Sequence, residues 1–183
     1  MAERELLPMG PAIVEYGDED PVIFDATKGG VVLTVETEVY DGTIDQSGNT
    51  PVKSVLLGRQ VQVQVPVAEY DLEKLAKVTP DSELVEDGDK IKLIVKANAG
   101  FNLLNTAQKL VIKPTDPSTN ANHWVTVPKA APMADIEATY DSENERIYNV
   151  TFKAYVDAEN GNQVFILGDE TANASGGGGG GGE

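Results

Sequence analysis

The chain has 183 residues, with 14 Lys and Arg against 30 Asp and Glu, and a formal net charge of −16. This balance excludes a nucleic-acid clamp, because phosphate-binding surfaces are built from clustered Lys and Arg. The chain contains no cysteine, which excludes disulfides and thiolate chemistry. No apolar run approaches the length of a signal peptide or a membrane span, so we expect no membrane anchor.

The two ends of the chain differ from its middle. Residues 1–28 are acidic and interrupted by three prolines, so we predict an extended N-terminal arm with one short strand at Ala12–Tyr16. Residues 171–183 end in SGGGGGGGE, which predicts a flexible C-terminal tail. The glycine run is not a phosphate loop, because no Lys-Ser or Lys-Thr pair follows it. One domain is therefore expected at 29–170.

Two β-branched runs flank a polar segment in the first half of this domain. Val31–Val39 carries Glu at alternate positions, and Gly58–Val67 (GRQVQVQVPV) alternates valine with glutamine. Strict alternation predicts strands with one buried and one polar face. The segment between them, Tyr40–Ser54, is longer than a hairpin turn requires and contains several turn residues of its own, so we predict a loop used in assembly.

The spacing of apolar residues changes from the alternation of a strand to the spacing of a helix once, at Tyr70–Lys77. Leu72, Leu75 and Ala76 follow helical spacing, Asp71 can cap the N-terminus, and Pro80 marks the end, so we predict one short helix. Turn signals then separate further predicted strands: Lys90–Lys96, Gln108–Lys113, His123–Val127, Ile147–Val156 and Gln163–Leu167.

These elements predict a mainly β fold. We expect two packed antiparallel sheets, in a β-sandwich or barrel-like arrangement, with one short helix, a long assembly loop and extended terminal arms. The apolar faces of the strands and the helix define the predicted core: Val61, Val63, Val65, Leu72, Leu75, Leu93, Val95, Val150 and Phe152.

No motif in the chain carries enzyme chemistry. His123 is the only histidine and lacks a nucleophile elbow or a zinc-ligand set, so we interpret it as structural. Asp157-Ala-Glu-Asn-Gly resembles the start of a calcium loop, but its Gly is one place early and no closing Glu follows. We therefore expect a hairpin turn at Glu159–Asn162, no enzyme activity, no cofactor and no metal.

The middle of the chain resembles the tail tube proteins (major tail proteins) of long-tailed bacteriophages with non-contractile tails. The resemblance runs from Gly29-Gly30-Val-Val-Leu-Thr-Val-Glu-Thr-Glu, through Asp45–Val52 and the strand entering Val65-Pro-Val-Ala-Glu-Tyr-Asp-Leu-Glu. It continues at His123-Trp124 and at residues 146–152, and it ends at Gly168-Asp-Glu170. The order and spacing of these segments carry it, across about residues 29–170.

The resemblance implies a structural virion protein that assembles into stacked hexameric rings, with loops and arms linking rings and inner sheets joined around a lumen through which DNA passes without specific binding. Implied partners are further copies and other tail proteins (tape measure, terminator and tip). The implied localisation is the phage tail, after synthesis in the host cytoplasm. The residues assigned to contacts between subunits or rings are Asp41, Asp45, Gln46, Gly48, Asn49, Thr50 and Pro51.

A second set is assigned to the lumen: Gln60, Gln62, Gln64, Glu36 and Glu38. Neutral amides can line a wet channel without capturing phosphates. Lys92 and Lys96 depart from this picture, because on a lumen face they would have to be offset by Glu36 and Glu38 on a neighbouring strand. Two alternatives remain open: a capsid decoration or other structural virion protein, and a carbohydrate-binding β-sandwich, which would be expected to expose several aromatic stacking platforms.

Overall fold

The structure is a computed structural model that describes residues 10–133, 137–138 (backbone only) and 147–172. The polyglycine tail and residues 1–9 of the predicted arm lie outside the described residues. The described part contains one α-helix, and its eleven strands form two antiparallel sheets. The predicted fold class is confirmed.

The strands of the larger sheet are β1 (Ala12–Tyr16), β2 (Val22–Phe24), β3 (Val32–Gly42), β4 (Lys53–Val67), β7 (Gln108–Pro114), β8 (Val125–Pro132), β9 (Glu137–Ala138), β10 (Tyr148–Ala154) and β11 (Ile166–Leu167). Seven of them form a row in the order β2-β1-β7-β8-β10-β4-β3, while β11 pairs with β8 and β9 pairs with β10. The smaller sheet is a hairpin of β5 (Ser82–Asp87) and β6 (Lys90–Val95).

The larger sheet curls toward a barrel because one chain segment joins β2, at one end of the row, to β4, the strand next to the other end. β2 pairs with β1, and the residues just after β2 hydrogen-bond to the end of β4. The Lys28 N–H donates to the Pro66 carbonyl (3.1 Å), and the Ala68 N–H donates to the Ala26 carbonyl (2.8 Å). The enclosed face of the sheet holds the core.

The core confirms most of the predicted buried residues. Val61, Val63, Val65, Leu75, Val150 and Phe152 are buried. Leu72 and Leu93 are partly buried against the same cluster. Val95 is a wrong prediction, since it is 58% exposed. It lies at the end of β6, and a two-stranded hairpin has no further strand to cover its apolar row.

The N-terminal segment is more deeply integrated than an arm would be. β1 pairs with β7 over five residues, and Val14, Tyr16 and Phe24 are buried in the core. The Tyr16 and Phe152 rings lie 4.9 Å apart between centroids. Residues 12–24 are therefore part of the larger sheet and its core, because β1 and β2 pair with it and their apolar side chains are buried.

The helix α1 (Leu72–Val78) begins as the sequence predicts. The Asp71 side chain accepts hydrogen bonds from the backbone N–H groups of Glu73 (2.9 Å) and Lys74 (3.2 Å), which satisfies donors that a helix leaves unpaired at its start. Leu75 and Val78 face the core. No helix in the described residues is long and apolar enough to cross a membrane.

Candidate functional site: a polar sheet face and a projecting ribbon

The β3–β4 hairpin is the longest paired element of the chain. Its register runs from Val32 opposite Gln64 to Gly42 opposite Lys53. β10 covers the other edge of β4 only as far as Gln62, so the hairpin continues beyond the sheet. We call residues 36–60 the ribbon. At about 3.3 Å per residue, its arm of β4 extends roughly 25 Å past the barrel.

The predicted assembly loop is shorter than the sequence suggested, because both strands continue into it. β3 extends to Gly42 and β4 begins at Lys53, so only residues 43–52 connect them, with a short 3-10 helix at Asp45–Ser47. Asp41 lies on β3, where its carboxylate accepts a hydrogen bond from the Ser54 hydroxyl (2.6 Å). The other six assigned residues lie in the exposed connection: Asp45, Gln46, Gly48, Asn49, Thr50 and Pro51.

The five residues assigned to the lumen lie on one face of the hairpin, which we call the polar face. Gln60 pairs with Glu36, and the Gln60 amide donates to the Glu38 carboxylate (2.9 Å). Gln62 and Gln64 continue the same row, on the opposite side of β4 from the buried Val61, Val63 and Val65. Because side chains alternate between the two faces of a strand, the glutamines and the valines of β4 lie on opposite faces, as predicted.

β10 extends the polar face sideways. Lys153 pairs with Gln62, and Thr151 pairs with Gln64. The face is thus neutral at its centre, with two carboxylates on β3 and one ammonium group on β10. Lys92 and Lys96 do not belong to it, because β6 is in the smaller sheet and β3 pairs only with β4 within the described residues. Lys96 instead forms an ion pair with Glu83 (2.7 Å).

The opposite face of the ribbon is largely uncovered and mixes apolar with polar pairs, since Val39 and Leu56 lie between the pairs Thr37–Arg59 and Asp41–Ser54. At the base of the hairpin this face buries Val61 and Val63, but farther out Val39 is 50% exposed and Leu56, its cross-strand partner, is 51% exposed. A β-bulge between Glu38 and Val39 leaves Leu57 without a paired residue. Counted over both of its faces and the connection, the ribbon exposes seven large apolar side chains: Val39, Tyr40, Ile44, Val52, Val55, Leu56 and Leu57.

Sequence reasoning identified the position of this element but missed its apolar surface. The missed signal was the run VKSVLLG (52–58), where Leu56 and Leu57 interrupt the alternation that resumes at Gly58. Consecutive leucines beside a glycine in an otherwise alternating strand indicate a bulge. Exposed apolar groups clustered in this way mark an interaction surface more often than solvent-facing strand.

The described residues show no arrangement of catalytic groups. His123 ends a short 3-10 helix, and its Nδ1 accepts a hydrogen bond from the Asn120 N–H (3.1 Å), which is a capping contact. The described residues contain no cluster of three or more His, Cys, Asp or Glu suited to a metal ion. A depression of about 560 Å³ lies beside the acidic turn after β1, where Lys77 pairs with Asp20 (2.8 Å).

Asp157, the first residue of the sequence that resembles a calcium loop, connects neighbouring segments through its side chain. Its carboxylate accepts a hydrogen bond from the Asn160 amide (2.6 Å) and lies 2.9 Å from the Lys129 ammonium. These two groups hold the pKa of the Asp157 carboxyl below its usual range, the Asn160 hydrogen bond first and Lys129 second. The predicted turn follows, with positive φ angles at Gly161 and Asn162.

Trp124 is an aromatic ring of the kind that a carbohydrate-binding module would use for stacking, but one of its faces is occupied. The Lys113 ammonium lies over its ring, 4.5 Å from the centroid. Lys113 also forms an ion pair with Glu15 on β1. The indole is therefore engaged on one face by the protein itself.

Comparisons with known proteins define no family for this chain. No family model matches it, and no curated protein does. Several solved structures are similar in part, and three of them are described here. The first is a chain in the virion of a native gene transfer agent particle, at 13% identity and a TM-score of 0.44, covering 78% of this chain and 90% of that one.

The other two belong to related kinds of particle. One is the sheath/tube terminator of an extracellular contractile injection system in its extended state (15% identity, TM-score 0.43, 84% of this chain and 96% of that chain). The other is from the baseplate of the anti-feeding prophage (11% identity, TM-score 0.40, 82% and 91%). These identities and scores are too low to assign a function to this chain.

Proposed function

We propose that this chain is a structural virion protein, without enzyme activity, that assembles with copies of itself into the tail tube of a phage. The proposed unit is a hexameric ring, and stacked rings form the conduit for DNA. The observation that carries the proposal is the ribbon. It exposes seven large apolar side chains, on both of its faces and in the connection, and no other part of the described chain covers them fully.

The free energy of burying apolar side chains favours a binding partner for the ribbon. An isolated two-stranded hairpin is marginally stable in water, so a long ribbon with exposed valine and leucine gains from a surface that covers it. Burying apolar surface contributes roughly 25 cal/mol per Å², and a fully buried Leu or Val about 1.5–3 kcal/mol. Seven such side chains on each copy supply a substantial association energy when copies pack together.

The composition of the polar face is suited to lining the proposed channel. Gln60, Gln62 and Gln64 form a continuous amide row, with Glu36 and Glu38 beside it. Amides hydrogen-bond water without attracting phosphates, and carboxylates repel them. Six copies of a chain with net charge −16 also build a strongly negative field, which opposes binding of DNA to the wall.

The experiment that tests this proposal removes the ribbon tip. Residues 43–51 are replaced by a two-residue turn, which leaves the strands of the barrel intact. We expect the variant to stay folded by circular dichroism and to form no tubes by electron microscopy, whereas the full chain forms them. The alternative of a capsid decoration protein predicts no tubes from either chain and binding to heads instead. Normal tubes from the deletion variant would refute the assembly role of the loop.

A further inference from the structure

The turn that resembles the start of a calcium loop contains the one Asn-Gly pair of the chain, Asn160-Gly161. Both residues are exposed, and they lie in the turn between β10 and β11. Asparagine is a chemically labile residue, because the carbonyl carbon of its side-chain amide lies within reach of the next backbone nitrogen. Glycine has no side chain to hinder that approach and gives the backbone the most freedom to make it.

The backbone nitrogen of Gly161 makes no hydrogen bond within the described residues. Gly161 follows a short 3-10 helix (Ala158–Asn160) and has φ 72° and ψ 32°. After each of the other three 3-10 helices in the described part of the chain, the next residue donates its N–H to the carbonyl three places back: Gly48, Ala107 and Trp124. Apart from its chain neighbours, no atom lies within 4 Å of the place where a Cβ of residue 161 would stand. The nitrogen is therefore accessible and has no competing partner.

The Asn160 side chain holds the turn against a buried carboxylate. Its amide donates to the Asp157 Oδ2 (2.6 Å), and the Asp157 Oδ1 lies 2.9 Å from the Lys129 ammonium on β8. Asp157 is only 4% exposed. An amide can donate to a carboxylate, whereas an ionised carboxylate in its place cannot. The contact therefore depends on residue 160 keeping its amide group.

We propose that Asn160 is a site of spontaneous deamidation, with water as the co-reactant, and that the conversion breaks the contact with Asp157. The Gly161 nitrogen attacks the Asn160 Cγ, and its proton passes through solvent to the amide nitrogen, which leaves as ammonia. The product of this step is a cyclic imide. Water then opens the imide at either of its carbonyl carbons, which gives aspartate or isoaspartate at position 160. No electrons are transferred to or from an outside group in either step.

The conversion places a second carboxylate where the hydrogen-bond donor was. Two carboxylates at this separation repel each other, and the hydrogen bond from Asn160 that lowers the pKa of the Asp157 carboxyl is lost. Asp157 links two parts of the barrel, since its side chain contacts Lys129 and its N–H donates to the Gln163 carbonyl (2.8 Å). Deamidation therefore weakens the attachment of residues 157–163 to β8. The reaction needs one folded chain only, so it is independent of the proposed tube.

Mass spectrometry of the full chain tests the modification. After incubation at neutral and at mildly alkaline pH, we expect residue 160 to gain the mass of exchanging NH2 for OH, as a mixture of aspartate and isoaspartate. Conversion should be faster at alkaline pH, because the attacking nitrogen must lose its proton. N160Q should stay unconverted at this position, because its longer side chain would have to close a larger ring.

Asn98 is the matched control within the same chain. It is exposed and its amide also donates to a carboxylate, that of Asp81 (3.0 Å), but alanine follows it. Asn160 should convert before Asn98. Equal rates at the two sites, or no mass change at residue 160, would overturn the proposal. A loss of ammonia with residue 160 joined to Lys129 would overturn it as well, since the amine and not the backbone nitrogen would then have attacked.

Urea denaturation of N160D, the aspartate product, tests the consequence. At neutral pH we expect N160D to unfold at a lower urea concentration than the parent chain and than N160Q, which changes the side chain without adding charge. The gap between N160D and N160Q should close below about pH 4, where carboxyl groups become protonated. Equal stability of N160D and N160Q at neutral pH would show that the new charge does not break the contact with Asp157.

Discussion

The base of β4 and the ribbon of β4 belong to one strand, and the face that buries valines at the base continues into the ribbon, yet the two regions behave differently. Val61 and Val63 at the base are covered by the barrel and are almost fully buried. Leu56, farther out on the same face, is half exposed. The difference shows that the spacing and the type of apolar residues in a strand do not distinguish those that stabilise the fold from those available for contacts between copies. The separation depends on whether a neighbouring strand reaches that far.

Truncation of the core beneath the base should have the largest effect on stability. Phe152 is fully buried on β10, opposite Val63, and its ring packs on Tyr16. We expect Phe152→Ala to lower the free energy of unfolding by about 3–5 kcal/mol, through lost burial and the cavity that remains. Urea denaturation of the unassembled chain measures it. A loss below about 1 kcal/mol would show that this strand face is not the core face.

A matched pair of valine substitutions tests the difference between the base and the ribbon directly. Val63→Ala at the base should lower the free energy of unfolding by about 2 kcal/mol, since two buried methyl groups are lost. Val39→Ala in the ribbon should change it by less than about 0.5 kcal/mol, because the side chain is half exposed in the single chain. We expect the reverse order for assembly, with Val39→Ala raising the concentration needed for tube formation, measured by light scattering. Equal effects on folding would contradict the division between base and ribbon.

The junction at Asp157 makes a smaller, pH-dependent contribution to the barrel. Its pKa is lowered in the folded chain by Asn160 and Lys129. A lowered carboxyl pKa contributes stability that is present above the unfolded value, near 3.9, and is lost as pH falls through the folded value. We therefore expect Asp157→Asn to be less stable than the parent at pH 7, with the gap closing below about pH 4. Thermal unfolding between pH 7 and pH 3 measures it, and a gap independent of pH would refute the ionic origin.

The polar face should show the smallest effect on stability and a selective effect on function. Gln60→Lys, Gln62→Lys and Gln64→Lys together should change the free energy of unfolding by little, because exposed substitutions usually fall within about ±0.5 kcal/mol each. If the face lines the channel, tubes form normally but DNA ejection slows, more at low salt, where phosphate contacts strengthen. The matched control is three Lys substitutions at exposed neutral residues outside the polar face and the connection: Asn105, Asn122 and Gln163. Ejection unchanged across salt concentrations would place the polar face outside the channel.

The local sequence pattern was sufficient to predict those elements that have strict alternation of apolar residues or a capping residue at the helix start. The alternation of 61–65 assigns valines inward and glutamines outward, and the structure agrees. The helix begins directly after Asp71, its predicted cap, because the cap depends only on the N–H groups two and three places ahead. These results follow from interactions between near neighbours in the chain.

Only the tertiary structure decided which strands become neighbours, and therefore which apolar faces are covered. Val95 continues the alternation of a core strand but is exposed, because β6 pairs with β5 alone. Residues 12–24 look like an acidic, proline-broken arm, yet they complete the sheet beside β7. The sequence determined the two faces of each strand through local geometry, whereas burial came from long-range pairing, which no local period encodes.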